Sequence, residues 1–133
     1  MGNPNVRWTA VAIDCAQGQA PAMATYYGKL LGFDRVREVG PNWAQIDDPD
    51  GPMHLNIQGE AWYEPPVWPE EEGALKKMMH FEIEVDDVAA AVALAIEAGG
   101  RENPWQPPTR NPARIRIVLD PAGHPMCLFA RGE

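Results

Sequence analysis

The chain contains no serine and only two cysteines, Cys15 and Cys127. Without serine there is no serine-nucleophile chemistry, neither a triad nor a nucleophile elbow. Two cysteines that make no CxxC pair are too few for a disulfide framework, so reduced thiols and a cytoplasmic location are expected. No apolar run reaches the roughly 18 residues that a membrane-crossing helix needs, and the longest, Val88 to Ile96, is an Ala-rich stretch suited to a globular domain. Met1 to Arg7 carries no apolar segment of the kind found in an export signal. Positive charge is also scarce: 11 Lys and Arg stand against 19 Asp and Glu, a formal net charge of −8. That balance argues against nucleic acid and anionic membranes as partners. Phosphate loops, dinucleotide fingerprints and HExxH are absent as well.

What is present is a chain of 133 residues, 45% apolar and 23% charged, which fits one domain able to bury a core without staples. Arg7 to Asp14 reads as a strand rich in β-branched residues. Ala20 to Leu31 reads as a helix, with Pro21 in its first turn, Met23, Tyr27, Leu30 and Leu31 on one stripe, and Gly32 as its stop. Three short strands are predicted at Phe33 to Val39, Trp43 to Asp47 and Met53 to Gln58, separated by Gly and Pro turns. Gly59 to Gly73 holds Pro65, Pro66 and Pro69 among Trp62, Tyr63 and Trp68. It is expected to be a connecting loop that packs down on the domain.

A second set of elements then repeats the order. Met79 to Val85 alternates as a strand, and Asp86-Asp87 caps a helix from Val88 to Ala98 that ends at Gly99-Gly100. A short strand is expected near Arg101 to Trp105, followed by strands at Arg114 to Leu119 and Met126 to Ala130. The halves also match in letters. Asp120-Pro121-Ala122-Gly123 lies 72 residues (120 − 48) after Asp48-Pro49-Asp50-Gly51, and the same offset sets Ile83 to Asp86 against Val11 to Asp14. Coincident offsets with mixed strand and helix indicate one duplicated βαβββ unit rather than a solenoid.

Three stretches carry a family resemblance. His80-Phe81-Glu82-Ile83-Glu84-Val85-Asp86-Asp87 with its Ala-rich helix, the closing Asp120-Pro121-Ala122-Gly123-His124 turn and strand, and Tyr26-Tyr27 before Leu30-Leu31-Gly32-Phe33 resemble the vicinal-oxygen-chelate (glyoxalase, bleomycin-resistance, extradiol dioxygenase) superfamily. Pro65-Pro66-Val67-Trp68-Pro69 resembles its glyoxalase-like branch. The resemblance implies an α+β fold. Two βαβββ modules (about 6–58 and 77–131, joined by a linker at about 59–76) would form an open, cup-shaped mixed sheet with helices outside, often completed by a homodimer. The fold hosts isomerases, lyases, dioxygenases and drug-sequestering proteins, so it leaves the activity open.

Strand alternation selects the cup-facing residues. Val11, Ile13, Leu55, Ile57, Phe81, Ile83, Val85 and Leu128 should pack under the helices, leaving Trp8, Ala10, Ala12, His54, Asn56, Gln58, His80, Glu82, Glu84, Cys127 and Phe129 toward the cup. The same rule places Arg114 and Arg116 in the cup, with Ile115 and Ile117 buried. The family's four metal positions map approximately onto Trp8 (or Thr9), His54, His80 and Cys127. Three of the four depart from the family's His/Glu pattern. A divalent metal such as zinc on His54, His80 and Cys127 is one reading, and a metal-free cup is the preferred one. In the enzyme reading Glu82 is the candidate base beside His80. The ligand-contacting set is then Trp8, Trp43, His54, Asn56, Arg116 and Phe129. The rival reading is a binding protein that holds a small molecule, for instance a cationic drug, among Trp43, Trp62, Trp68 and Trp105. His124 is expected to order its turn.

Overall fold

The structure, a computed structural model, describes residues 5–132; the first residues of the Met1 to Arg7 segment lie outside them. The element order is β1 (Ala10–Ala16), α1 (Ala20–Leu31), β2 (Arg35–Val39), β3 (Trp43–Asp47), β4 (His54–Glu60), β5 (Phe81–Val85), α2 (Val88–Glu97), β6 (Arg101–Glu102), β7 (Ile115–Leu119) and β8 (Pro125–Ala130). Both halves therefore follow βαβββ. Each folds into a four-stranded sheet with one strand order, β1-β4-β3-β2 in the first module and β5-β8-β7-β6 in the second. The first and last strand of each module pair in parallel and the rest antiparallel, so both sheets are mixed and open.

Local chemistry accounts for the helix boundaries. Pro occupies the first turn of α1, and Gly32 closes it in the left-handed region at φ 71°, which costs a glycine little. The side chain of Asp87 accepts from the Ala90 N–H and so caps α2. The helices end as the sequence predicts, to within a residue. Strand β1 does not: it starts at Ala10 rather than Arg7 and continues to Ala16. Its register with β4 begins at Ala10 against His54, so residues before Ala10 run past their partner strand. Gln19 terminates it by accepting from the Ala16 N–H. No helix among the described residues is long and apolar enough to cross a membrane.

One apolar core spans both modules. Met23, Tyr26 and Tyr27 of α1 are fully buried, together with Ile46 and Ile57 of the first sheet and Met126 and Leu128 of the second. Tyr26 donates to Met126 Sδ, and the Tyr27 ring meets Phe81 edge-on at 6.0 Å between centroids. Burial pushes all three tyrosine phenols upward, Tyr26, Tyr27 and Tyr63, with Asp120 adding to each. A raised phenol favours the folded state in its neutral form. This stabilisation is complete below the unfolded value near pH 10 and is lost as pH climbs toward the folded-state value. Phenolate absorbance is therefore expected to stay flat as native protein passes about pH 10 and to rise together with loss of far-ultraviolet ellipticity. A native-state titration near pH 10 with full ellipticity would contradict this.

Candidate functional site

Strand pairing identifies the two faces of each sheet, because directly opposed residues share a face. In the first module Ala44, Ile46, Leu55 and Ile57 lie together under α1, while Trp43, Gln45, Asp47, His54, Asn56 and Gln58 share the opposite face. The expected cup positions His54, Asn56 and Trp43 thus lie on one surface. Asp47 is buried there, and Arg37 Nε donates to its Oδ2 at 2.6 Å. Two buried acceptors on this face, Asp47 Oδ1 and Asn56 Oδ1, have no hydrogen-bond partner among the described residues. Trp8 lies before β1, is 77% exposed, and donates its indole N–H to the Ala10 carbonyl at 2.8 Å.

In the second module Glu82 opposes Cys127 and Glu84 opposes Phe129, as strand alternation predicts. The expectation for β7 is corrected. Ile117 opposes Cys127 and Ile115 opposes Phe129, whereas Arg116 opposes Leu128 on the helix side. Arg116 is therefore not on the face of Cys127 and Phe129; its guanidinium pairs with Glu102 at 3.1 Å. Ile117 is nonetheless fully buried on that face, so apolar character there did not mark the helix side. Beyond the short β6, the Gln106 side-chain amide completes the β7 ladder, accepting from Ile117 N–H and donating to its carbonyl. The linker is held close by: Asn103 donates to the carbonyls of Trp68 and Trp105. The Trp68 ring lies 5.0 Å from His80 and 6.3 Å from Trp105, with Lys77 Nζ 4.1 Å above its face.

His80 Nε2 is 3.6 Å from Glu82 Oε2, a contact too long for a hydrogen bond and largely open to solvent on the glutamate side. Burial, then Glu82, pushes the Cys127 thiol upward, with Lys77 and Arg110 opposing. A protonated thiol is the poorer metal ligand and nucleophile. Among the described residues no three His, Cys, Asp or Glu side chains are grouped so as to hold a metal ion, so one chain does not bring His54, His80 and Cys127 together.

The principal cavity lies elsewhere, in the seam between the modules. It measures about 680 Å³ and is bounded by Val11 to Asp14 of β1, by residues 60–64 and 75–79 between β4 and β5, and by His80, Phe81, Tyr27 and His124. Of the residues nominated from sequence for catalysis, ligand or metal, His80 and the linker tryptophan Trp62 line it, and the others do not. Its mouth is apolar: Trp62 is 96% exposed, and Met78 and Met79 nearly as much. Behind its lining residues Tyr27, Tyr63 and His124 lies a polar junction. Tyr27 donates to Asp120 Oδ2 at 2.6 Å, and Asp120 Oδ1 accepts the N–H groups of Ala122 and His124. Tyr63 donates to the Ala122 carbonyl, and His124 Nε2 contacts the Asp14 carbonyl and the Tyr63 hydroxyl. Burial pushes the Asp120 carboxyl upward, opposed by His124 and by the hydrogen bond from Tyr27. His124 does order its turn and, in addition, ties that turn to β1. Sequence reasoning missed the cavity because face alternation says nothing of what two strand edges enclose. The surplus of Trp, Tyr and Met in and after the linker was the available signal.

A family model described as a glyoxalase-like domain matches residues 10–129. The chain is similar in fold to a glyoxalase-related enzyme from Fulvimarina pelagi, at 19% identity, covering 95% of this chain and 89% of that one, with a TM-score of 0.58. It is likewise similar to a putative glyoxalase family protein from Bacillus anthracis, at 15% identity, 98% of both chains and a TM-score of 0.59. A lactoylglutathione lyase from Agrobacterium tumefaciens shows 11% identity over 97% of this chain and 96% of that one, with a TM-score of 0.55. No curated protein matches.

Proposed function

This chain belongs to the glyoxalase-like domain family, and we propose that it binds a small, largely apolar molecule in the cavity between its two modules, without a metal held by His54, His80 and Cys127. The observation that supports this reading is the cavity itself. Its volume of about 680 Å³ is in the range that suits a drug-sized ligand, and its walls combine Tyr27, Tyr63, Phe81 and Trp62 with the polar side chains of Asp14, Lys76, His80 and His124 among others. Tyr63 and His124 are held in place through main-chain contacts, so the cavity is built before a ligand arrives, which lowers the ordering cost of binding.

Titration with 1-anilinonaphthalene-8-sulfonate and with cationic aromatic drugs, read by dye emission and tryptophan quenching, is expected to give saturable binding of at least one probe at micromolar concentration. Ala61 is exposed and lines the cavity, so Ala61→Trp should weaken that binding at least tenfold with little change in stability. Prior dialysis against a chelator should leave the affinity unchanged. Absence of saturable binding by every probe, or binding indifferent to Ala61→Trp, would overturn the cavity as the site. Loss of binding on chelation, with stoichiometric metal found by elemental analysis, would return the metal reading.

A further inference from the structure

The cavity is lined by four consecutive residues of β1, Val11, Ala12, Ile13 and Asp14. A strand that presents a face contributes every second residue; consecutive residues mean that its edge borders the space. The topology agrees, since β1 and β5 are the outermost strands of their sheets and both border the cavity. Within a strand, the N–H and C=O of one residue point the same way, and residues two apart point to the same side. Thr9 accepts from the His54 N–H, so the odd-numbered residues of β1 turn their main-chain groups to β4. The even-numbered residues then turn theirs to the seam. Side chains serve three of these groups: Trp8 donates to the Ala10 carbonyl, His124 contacts the Asp14 carbonyl, and Gln19 accepts from the Ala16 N–H. Ala12, at the centre, has no partner for its seam-facing N–H and C=O among the described residues.

We infer that the ligand of this cavity is peptide-like, carrying one residue between two amides that pairs with Ala12 as an added strand would. This rests on the cavity being the binding site and names the chemistry that fits it. A paired N–H and C=O on one edge selects the complementary pair, which an extended amino-acid unit, acylated at its nitrogen and amidated at its carboxyl, presents and a simple hydrocarbon does not. The apolar wall formed by Phe81, Tyr27 and Trp62 accommodates an aromatic or aliphatic side chain on that unit. Flanking Ala10 and Asp14 are capped at their carbonyls, so the match is confined to about one residue and the ligand is short.

The test compares N-acetyl-L-phenylalanine methylamide with its ester analogue, O-acetyl-L-phenyllactic acid methylamide, which lacks only the N–H that would donate to the Ala12 carbonyl. With ¹⁵N-labelled protein, the amide probe is expected to shift the Ala12 resonance saturably and to bind at least fivefold more tightly than the ester. Ala12→Pro removes only a seam-facing donor from an edge strand, a position where proline is tolerated, and should weaken the amide probe at least tenfold. Equal affinities for amide and ester, or an Ala12 resonance that does not move, overturn the inference. If Ala12→Pro does not fold, the amide and ester comparison on the unaltered chain decides alone. Retained binding of the anilinonaphthalene dye alongside equal affinities would sink the peptide-like ligand while leaving the cavity reading intact.

Discussion

Gly100→Ala is expected to destabilise the protein by about 3 kcal/mol or more and to lower its Tm by roughly 10 °C. Gly100 sits between α2 and β6, and a Cβ there would meet Tyr26 Cε1 at 2.5 Å, the Leu119 carbonyl oxygen at 2.6 Å and the Ala95 carbonyl oxygen at 3.1 Å. Two of those neighbours are main chain, and Tyr26 is a fully buried ring fixed by Tyr27 at 4.9 Å between centroids, so no side chain can swing away to make room. The substitution forces α1 away from the second module and strains the junction that unites the two halves of the core. Thermal unfolding followed by circular dichroism checks it, with Gly73→Ala as the companion. Gly73 has φ 83° and nothing within 4 Å of its added Cβ, so that change carries backbone strain without a clash and should cost about 1 kcal/mol. Equal losses for the two would contradict the steric account.

The second large effect is expected at Asp120. Asp120→Ala removes a fully buried carboxyl that accepts from Tyr27, Ala122 and His124, and it leaves three donors without their acceptor in a region closed to water. A loss of about 3 kcal/mol is expected, measured as a shift of the urea midpoint at constant slope. Asp120→Asn keeps the shape and one carbonyl acceptor and should cost about half as much. Tyr27 and His124, which Asp120 holds, line the cavity, so ligand binding should weaken in the alanine variant even at temperatures where it is fully folded. A variant as stable as the parent would show that the Asp120 hydrogen bonds only offset the penalty of burying its carboxyl.

Both predictions concern the line along which two halves meet, and that line marks how much the sequence could show. Duplication was legible because Asp48-Pro49-Asp50-Gly51 and Asp120-Pro121-Ala122-Gly123 must each make the same turn, and turn chemistry is local. The helix bounds were legible for the same reason: Pro21, Gly32 and Asp87 act on their own chain neighbours. The faces of β4, β5 and β8 followed from alternation, since one side of each packs under a helix. On β7 alternation chose the wrong parity: Arg116 sits with Leu128 on the helix side while Ile115 and Ile117 share the other face, and nothing within the strand's own residues distinguishes the two.

What the residues determined by themselves is the order of elements, their ends, and which side chains share most faces, all set by interactions within a few residues. The tertiary structure alone decided the placement of His54 and Cys127 in different sheets, the pairing of Tyr27 with Asp120 across 93 positions, and the unpaired edge at Ala12. Each of these depends on how two sheets are placed relative to one another, and that placement is a property of a shared core rather than of any segment that contributes to it.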